Sequence, residues 1–255
     1  MRTAVQFSGG KDSLAVLHLM RGRFDSDTTV YFGDTGIAYP HIARFVAATC
    51  AAFGLRLKVV KPTVSALAFH AKQGLPADIV PVECSAEMQP YLSSRREPLL
   101  QSGLSCCSAL LWRPLQEALL ADGVRVVYRG SKKCDGQVGV ADGFVDAHGI
   151  IYRSPLWDWS EKDVFDYLKA AGAELPAHYA QVNSSFDCYA CTAWLNHTGV
   201  ADRLAWTREA YPELWPEIET RLRRVREALD RERAGIDAAL NLAGTGSAHR
   251  SSRTS

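Results

Sequence analysis

An apolar segment, Thr3–Phe7, runs into the hexapeptide Ser8-Gly9-Gly10-Lys11-Asp12-Ser13 and then into a stretch with Leu14, Leu17 and Met20 or Arg21 at helical spacing. Strand, glycine turn and helix in that order are the unit of a parallel sheet, because a strand returning in the same direction needs a long crossover. The unit recurs. Thr28–Gly33 reads as a second strand, His41–Phe53 as a helix stopped by Gly54, and Leu55–Val60 as a third strand ended by Pro62. Ala109–Leu120 reads as a helix closed by Asp122-Gly123, and Val124–Tyr128 as a β-branched strand. The expected fold class is α/β: a parallel twisted sheet with helices on both faces, plus a C-terminal helical extension. Ligands of such sheets lie beyond the carboxyl ends of the strands, where both Ser8–Ser13 and Gly33–Gly36 fall.

The hexapeptide has the makings of an anion cradle. A glycine pair lets backbone N–H groups come close to a phosphate, a helix N-terminus adds partial positive charge, Lys11 adds a full one, and Ser8 and Ser13 add hydroxyls. It is not the Walker pattern, since Asp12 follows Lys11 and Val5 stands where that pattern's first glycine belongs. A plain Gly-Gly turn with a solvated lysine is the bland alternative. The strand–turn–helix frame favours a nucleotide.

Downstream, residues 136–152 are rich in Gly and Asp and read as a hairpin or loop excursion. Ser160 and Asp163 form a capping-box pattern opening a helix at Glu161–Ala171, with Gly172 as its stop. Residues 200–242 read as helical, and their alternating arginines and acids suggest a solvated helix with mixed-sign pairs. Residues 243–255 lack apolar content and are expected to be disordered. The domain reading is a nucleotide-binding α/β domain at 1–153, a helical region at 154–242 carrying the second cysteine pair, and a tail at 243–255.

With 255 residues and 47% hydrophobic content the chain can bury a full core. Lys plus Arg is 29 against 28 for Asp plus Glu, so no global field draws nucleic acid or an acidic membrane. A local basic rim of Lys132, Lys133, Arg95 and Arg96 leaves a nucleic-acid acceptor open. Met1-Arg2 leads straight into the first strand, and no apolar run nears membrane-spanning length, so a cytoplasmic protein without a membrane partner is expected. Seven cysteines in a reducing compartment then argue for metal or redox use rather than disulfides.

Four of them make two close pairs: Cys106-Cys107, and Cys188-Tyr-Ala-Cys191 after 80 intervening residues. Such a set can ligate zinc or an iron–sulfur cluster. Adjacent cysteines are awkward around one tetrahedral zinc but can reach separate irons of a cubane. Ser105 and Ser108 flank the pair where the 109–120 helix is expected to begin, and its dipole would favour thiolates there. Cys50 lies on an apolar helix face and reads as core; Cys84 and Cys134 are undecided.

Together these features resemble the phosphoadenosine phosphosulfate reductase family. Ser8–Ser13 is similar to the pyrophosphate loop of ATP pyrophosphatases, and the Cys-Cys…Cys-x-x-Cys layout to that of adenylyl sulfate reductases. Gly33-Asp34-Thr35-Gly36 followed by Tyr39-Pro40, Trp112-Arg113-Pro114-Leu115, Arg129–Lys133 and Ser154–Ser160 add to the match, which covers roughly residues 3–195. The resemblance implies an adenine nucleotide alpha hydrolase-like sheet, with Ser8, Gly9, Gly10, Lys11, Asp12 and Ser13 on the phosphates and Asp34, Thr35 and Gly36 bordering the nucleoside. It implies Cys106, Cys107, Cys188 and Cys191 as ligands of a 4Fe-4S cluster, with Lys132 and Lys133 facing an anionic group. Lys11, Asp12, Lys132 and Lys133 are then the candidate catalytic residues, with Asp12 or Asp34 available to hold Mg²⁺.

Two departures from the reductases stand out. No cysteine follows Cys191, and the lysine-bearing ATP form of the loop is intact. Both favour an ATP-consuming relative that adenylates an oxygen of its acceptor and replaces it with sulfur from an unknown donor. The alternatives are a sulfonucleotide reductase whose nucleophile has moved to Cys84 or Cys134, and a non-catalytic nucleotide-sensing subunit. The sequence leaves the acceptor and the oligomeric state open.

Overall fold

In the computed structural model, residues 2–93 and 96–248 are described, with the backbone alone at 136–138 and 242–248. Among them five parallel strands build the main sheet: β1 (Thr3–Gln6), β2 (Thr28–Gly33) and β3 (Arg56–Val60), then β6 (Val126–Tyr128) and β7 (Ile151–Arg153). Between these in sequence, β4 (Leu75–Ala77) and β5 (Leu100–Ser102) pair separately, also in parallel. The spatial order is β3-β2-β1-β6-β7. The chain therefore winds outward from β1, then returns to its other side with β6. That reversal opens a crevice beyond the β1 and β6 carboxyl ends.

Side-chain alternation along the strands sorts the helices to the two faces. Val5, Phe7, Val30 and Phe32 meet α1 (Lys11–Met20), α2 (Pro40–Phe53) and, through Val164 and Leu168, α6 (Glu161–Ala170). Ala4, Tyr31 and Val127 face the other way, onto Leu115 and Leu119 of α5 (Arg113–Ala121). Each large apolar side chain among them, fully buried, contributes about 1.5–3 kcal/mol. Cys50 packs in the first of these clusters, as expected. Gly54, at φ 65°, ends α2, and the Ser160–Asp163 capping box opens α6. The 136–152 excursion closes as a hairpin through an antiparallel Val145–Ile151 bridge.

The remaining helices are α3 (Ala66–Gln73), α4 (Gly103–Cys107), α7 (Val200–Ala210) and α8 (Trp215–Ala248). Three stretches differ from the sequence reading. The helix expected at Ala109 begins at Gly103, where the Ser102 hydroxyl accepts the Leu104 N–H, and widens into a π turn at Ser108–Trp112 before α5. Pro114 has no N–H to offer Leu110, which is where an α ladder must give way. The expected 200–242 helix is broken at Tyr211, since the residue before Pro212 is pushed off helical angles. Nor is α8 solvated all round: Ile218, Arg221, Val225 and Ala228 are buried, the last two against β4 and β5. The helical backbone of α8 continues to Ala248; residues 249–255 of the expected tail lie outside the described residues.

An aromatic and histidine cluster ties α2, α7 and the 177–187 segment together. His41 Nε2 is 3.0 Å from His178 Nδ1, His41 Nδ1 is 3.1 Å from the Tyr211 hydroxyl, and His178 stacks on Phe186 at 4.1 Å. Burial pushes both histidines down to about 4, helped by Arg44 at His41 and by His41 at His178. Between their ordinary value of 6.5 and about 4, the unfolded chain binds protons that the fold refuses. Stability is therefore expected to fall as pH drops through that window, and a His41→Asn, His178→Gln double variant should flatten the decline in thermal melts at pH 7 and pH 5.

Candidate nucleotide and thiol site

The glycine turn is shaped by its surroundings. Gly9 has φ +83°, and a Cβ there would lie 2.8 Å from Ile42 Cγ2. At Gly130, just past β6, a Cβ would lie 2.6 Å from the Asp12 carbonyl carbon, so β6 ends directly on the first turn of α1. Ser8 Oγ is 3.2 Å from Ser13 Oγ, and Ser13 Oγ donates to the Gly10 carbonyl at 3.0 Å. The Lys11 N–H donates to the Tyr179 hydroxyl at 3.0 Å, which in turn lies 2.9 Å from Ser185 Oγ.

Two buried lysines converge on one carboxylate. Lys11 Nζ is 2.9 Å from Asp12 Oδ2 and 3.4 Å from Glu161 Oε2. Lys132 Nζ is 2.6 Å from Asp12 Oδ1 and 3.1 Å from Asp135 Oδ1. Lys11 is 5% exposed and Lys132 2%. Burial alone would lower both lysine pKa values; Asp12 turns the net shift upward, so both ammonium groups stay charged. Lys132 and Lys133, implied by the resemblance to face an anionic group, differ: Lys132 is buried on Asp12, Lys133 is exposed, and neither lines the cavity below. The expected basic rim is not formed as drawn: Lys132 is buried, Arg96 pairs with Glu83, and Arg95 lies outside the described residues.

A cavity of about 1030 Å³ lies in the crevice. Its walls include Ser8, Asp12 and Ser13 of the turn, Thr35 after β2, Arg129 and Asp135 after β6, and Asp187, Cys188 and Trp194. Asp34 and Gly36 stand just outside it: Asp34 Oδ1 accepts the Gly36 N–H at 2.9 Å, and Oδ2 is 3.5 Å from Lys61 Nζ. The two carboxylates read as Mg²⁺ holders are thus engaged with lysines.

The second cysteine pair reaches the cavity by strand-like pairing. Ala38 and Cys188 form an antiparallel bridge, and the Tyr189 N–H donates to the Ile37 carbonyl at 2.9 Å. This stitches the Cys188–Cys191 turn beside the segment leaving β2. Cys106 packs with Ile37, Ala66, Leu110 and Ala190, and Cys188 lies against the same cluster. The first pair closes α4 rather than opening a 109–120 helix, so the expected dipole assistance to thiolates is not formed: burial raises both thiols instead.

The four thiols feel one another. Burial pushes Cys106 and Cys107 up to about 12, and Cys191 adds to both shifts. Burial likewise raises Cys188 and Cys191. Donors face three of the sulfurs: His70 Nε2 is 3.3 Å from Cys106, the Thr35 hydroxyl 3.2 Å from Cys188, and the Trp194 side chain hydrogen-bonds Cys107. Among the described residues no three His, Cys, Asp or Glu side chains gather closely enough for a single metal ion.

Several site residues escaped the sequence reading. Arg129 is the one cation lining the cavity among the described residues. Its signal was alternation along β6: Tyr128 packs on Phe24, so Arg129 must face the other way. Asp187 opens onto the cavity yet is crowded by protein, which raises its pKa against the pull of Arg203. Tyr179, 168 positions from Lys11, left no local signal at all.

The sequence profile of the phosphoadenosine phosphosulfate reductase domain matches residues 2–194, a span that holds the main sheet, the glycine turn and both cysteine pairs. The chain belongs to the phosphoadenosine phosphosulfate reductase family. Within that family it is similar to the phosphoadenosine 5'-phosphosulfate reductase of Xanthomonas oryzae pv. oryzae, at 27% identity over 176 residues, 69% of this chain and 64% of that protein. The Xylella fastidiosa enzyme of the same name gives 26% over 175 residues, 69% of this chain and 65% of that protein. The chain thus spans just under two thirds of the length of these relatives. A crystal structure of the Candida auris phosphoadenylyl-sulfate reductase, a phosphate complex, shares the fold, with a TM-score of 0.53 at 20% identity over 75% of this chain and 83% of that one. Among the described residues no helix is long and apolar enough to cross a membrane.

Removing the anion shared by two buried cations takes the nearest partner from each and leaves Lys11 to Glu161 and Lys132 to Asp135, at a cost of about 3 kcal/mol, the low end for a broken buried pair. Asp12→Asn should therefore lower the melting temperature of the nucleotide-free protein by several degrees, whereas Lys133→Met should leave it unchanged.

Proposed function

We propose that this family member binds ATP across the crevice, cleaves it to AMP and pyrophosphate, and activates an acceptor oxygen for replacement by sulfur. The observation that carries the reading is the continuity of one cavity from the lysine-backed glycine turn to Cys188. The β and γ phosphates fit the turn, where Ser8, Ser13 and the N-terminus of α1 offer donors. In the step itself, an acceptor oxygen attacks the α phosphorus, and the bond to the bridging oxygen breaks with its electron pair leaving on pyrophosphate. Lys11 and Lys132 back that leaving group; each is already charged, and Asp12 holds them together until the phosphates arrive. Mg²⁺ would come as part of the substrate, on the nucleotide's own oxygens. Arg129, in the cavity wall, suits an anionic group of nucleotide or acceptor.

The cysteine quartet fits an iron–sulfur cluster better than zinc. It offers four soft donors, three of them facing hydrogen-bonding side chains, and adjacent cysteines suit separate irons better than one tetrahedral ion. With every iron taken by cysteine, such a cluster would supply a structural and electrostatic anchor beside the acceptor.

A second reading, sulfonucleotide reduction, draws on the name that the Xanthomonas and Xylella relatives carry. It needs a thiol nucleophile, and the two candidates differ: Cys84 is sealed between β4, β5 and α8, whereas Cys134 is exposed next to Asp135 of the cavity wall.

Anaerobic protein given ATP and a cell extract fraction as acceptor source should release pyrophosphate; release of ADP and orthophosphate alone would sink the ATP reading. Charge-assisted hydrogen bonds are worth about 1.5–3 kcal/mol, so Lys11→Met and Lys132→Met should each weaken ATP binding by roughly 10- to 150-fold in calorimetric titration. Sulfite release from adenylyl sulfate, with a thiosulfonate trapped on Cys134, would turn the choice to the reductase.

A further inference from the structure

Glu217, Arg221, His70 and Cys106 form a hydrogen-bonded row from α8 through α3 to α4. Arg221 Nε donates to Glu217 Oε1 at 2.6 Å, Arg221 Nη1 meets His70 Nδ1 at 2.9 Å, and His70 Nε2 meets Cys106 Sγ at 3.3 Å. Arg221 and His70 are each 5% exposed. A guanidinium has donors and no acceptor. The ring nitrogen that faces it must accept, so the proton of neutral His70 sits on the other nitrogen, the one aimed at sulfur. Turning the ring over changes nothing, because whichever nitrogen faces Arg221 is the acceptor.

Packing does not call for this arrangement. Ile218, Val225 and Ala228 already bury the inner face of α8, and an apolar side chain at 221 would seal it without the desolvation that a guanidinium incurs. The row ends on a sulfur, and Thr35 and Trp194 aim donors at two more sulfurs of the same quartet.

We propose that His70, its tautomer locked by Arg221, is a positioning residue that donates an N–H hydrogen bond to the Cys106 sulfur and sets that ligand apart from Cys107. The proposal rests on the reading of the quartet as iron–sulfur ligands. A hydrogen bond to a ligating sulfur draws electron density from it, favouring the reduced state and slowing loss of the ligand.

The test uses the full chain, reconstituted anaerobically with iron and sulfide, as wild type, His70→Phe, His70→Gln and Arg221→Met. Iron and sulfide content, midpoint potential and the rate of iron loss to a chelator are measured, with thermal melts of each metal-free protein as the folding control. His70→Phe should shift the potential to more negative values and speed iron loss about 10-fold or more. His70→Gln, which carries an N–H at similar reach, should restore both, and Arg221→Met should move both in the direction of Phe. Phe and Gln variants that match each other would overturn the proposal, as would a Phe variant that matches wild type. Wild-type protein that takes up no iron and sulfide would fail the cluster reading itself. Nitrogen NMR of the His70 ring in metal-free protein tests the tautomer separately: a proton on the nitrogen facing Arg221 overturns the proposal whether or not a variant folds.

Discussion

Two ammonium groups buried within reach of each other would drive their strand ends apart without an anion between them. Asp12 is that anion, with one carboxylate oxygen on Lys11 and the other on Lys132. Because Lys11 opens α1 and Lys132 follows β6, the triad fixes the first turn of α1 against the neighbouring strand end, where Gly130 removes the last obstacle to contact. The crevice between β1 and β6 takes its floor from this arrangement. Both lysine charges are held there, each with an Asp12 oxygen as its nearest partner.

The thiol pocket depends on a different device, a short stretch of sheet-like pairing outside the sheet. The chain leaving β2 pairs at Ala38 with Cys188, and the Cys106 helix packs onto the same apolar cluster. The glycine turn and the Cys188–Cys191 turn therefore hang from adjacent strand ends. Thr35 joins them, lining the cavity while its hydroxyl lies 3.2 Å from the Cys188 sulfur. Burial suppresses ionisation of all four thiols there.

Much of this is legible along the chain where the physics is local. Strand alternation, the Gly54 stop, the Ser160 capping box and the crossover logic of a parallel sheet each depend on a few neighbouring residues, and each appears in the fold. Sequence and structure part where distant chain decides. Arg221 looks like one more solvated arginine because its helix is charged on most faces, yet it is buried and meets His70. Lys132 and Lys133 are indistinguishable as neighbours in sequence; only the first finds Asp12, since successive side chains leave the backbone in different directions. The helix carrying Cys106 and Cys107 starts earlier than its apolar periodicity suggests, because the π turn before Pro114 shifts the phase of the residues that precede it.

The amino-acid order alone determined the class of fold, the glycine turn between β1 and α1 and the two cysteine pairs, because glycine angles, helix caps and apolar periodicity act over a handful of residues. Tertiary structure alone decided which charges are neutralised, which arginine faces the cavity and which histidine meets a cysteine sulfur. Those outcomes turn on contacts between segments as far apart as Lys11 and Tyr179, or His70 and Arg221, and on the burial that makes an unpaired charge costly.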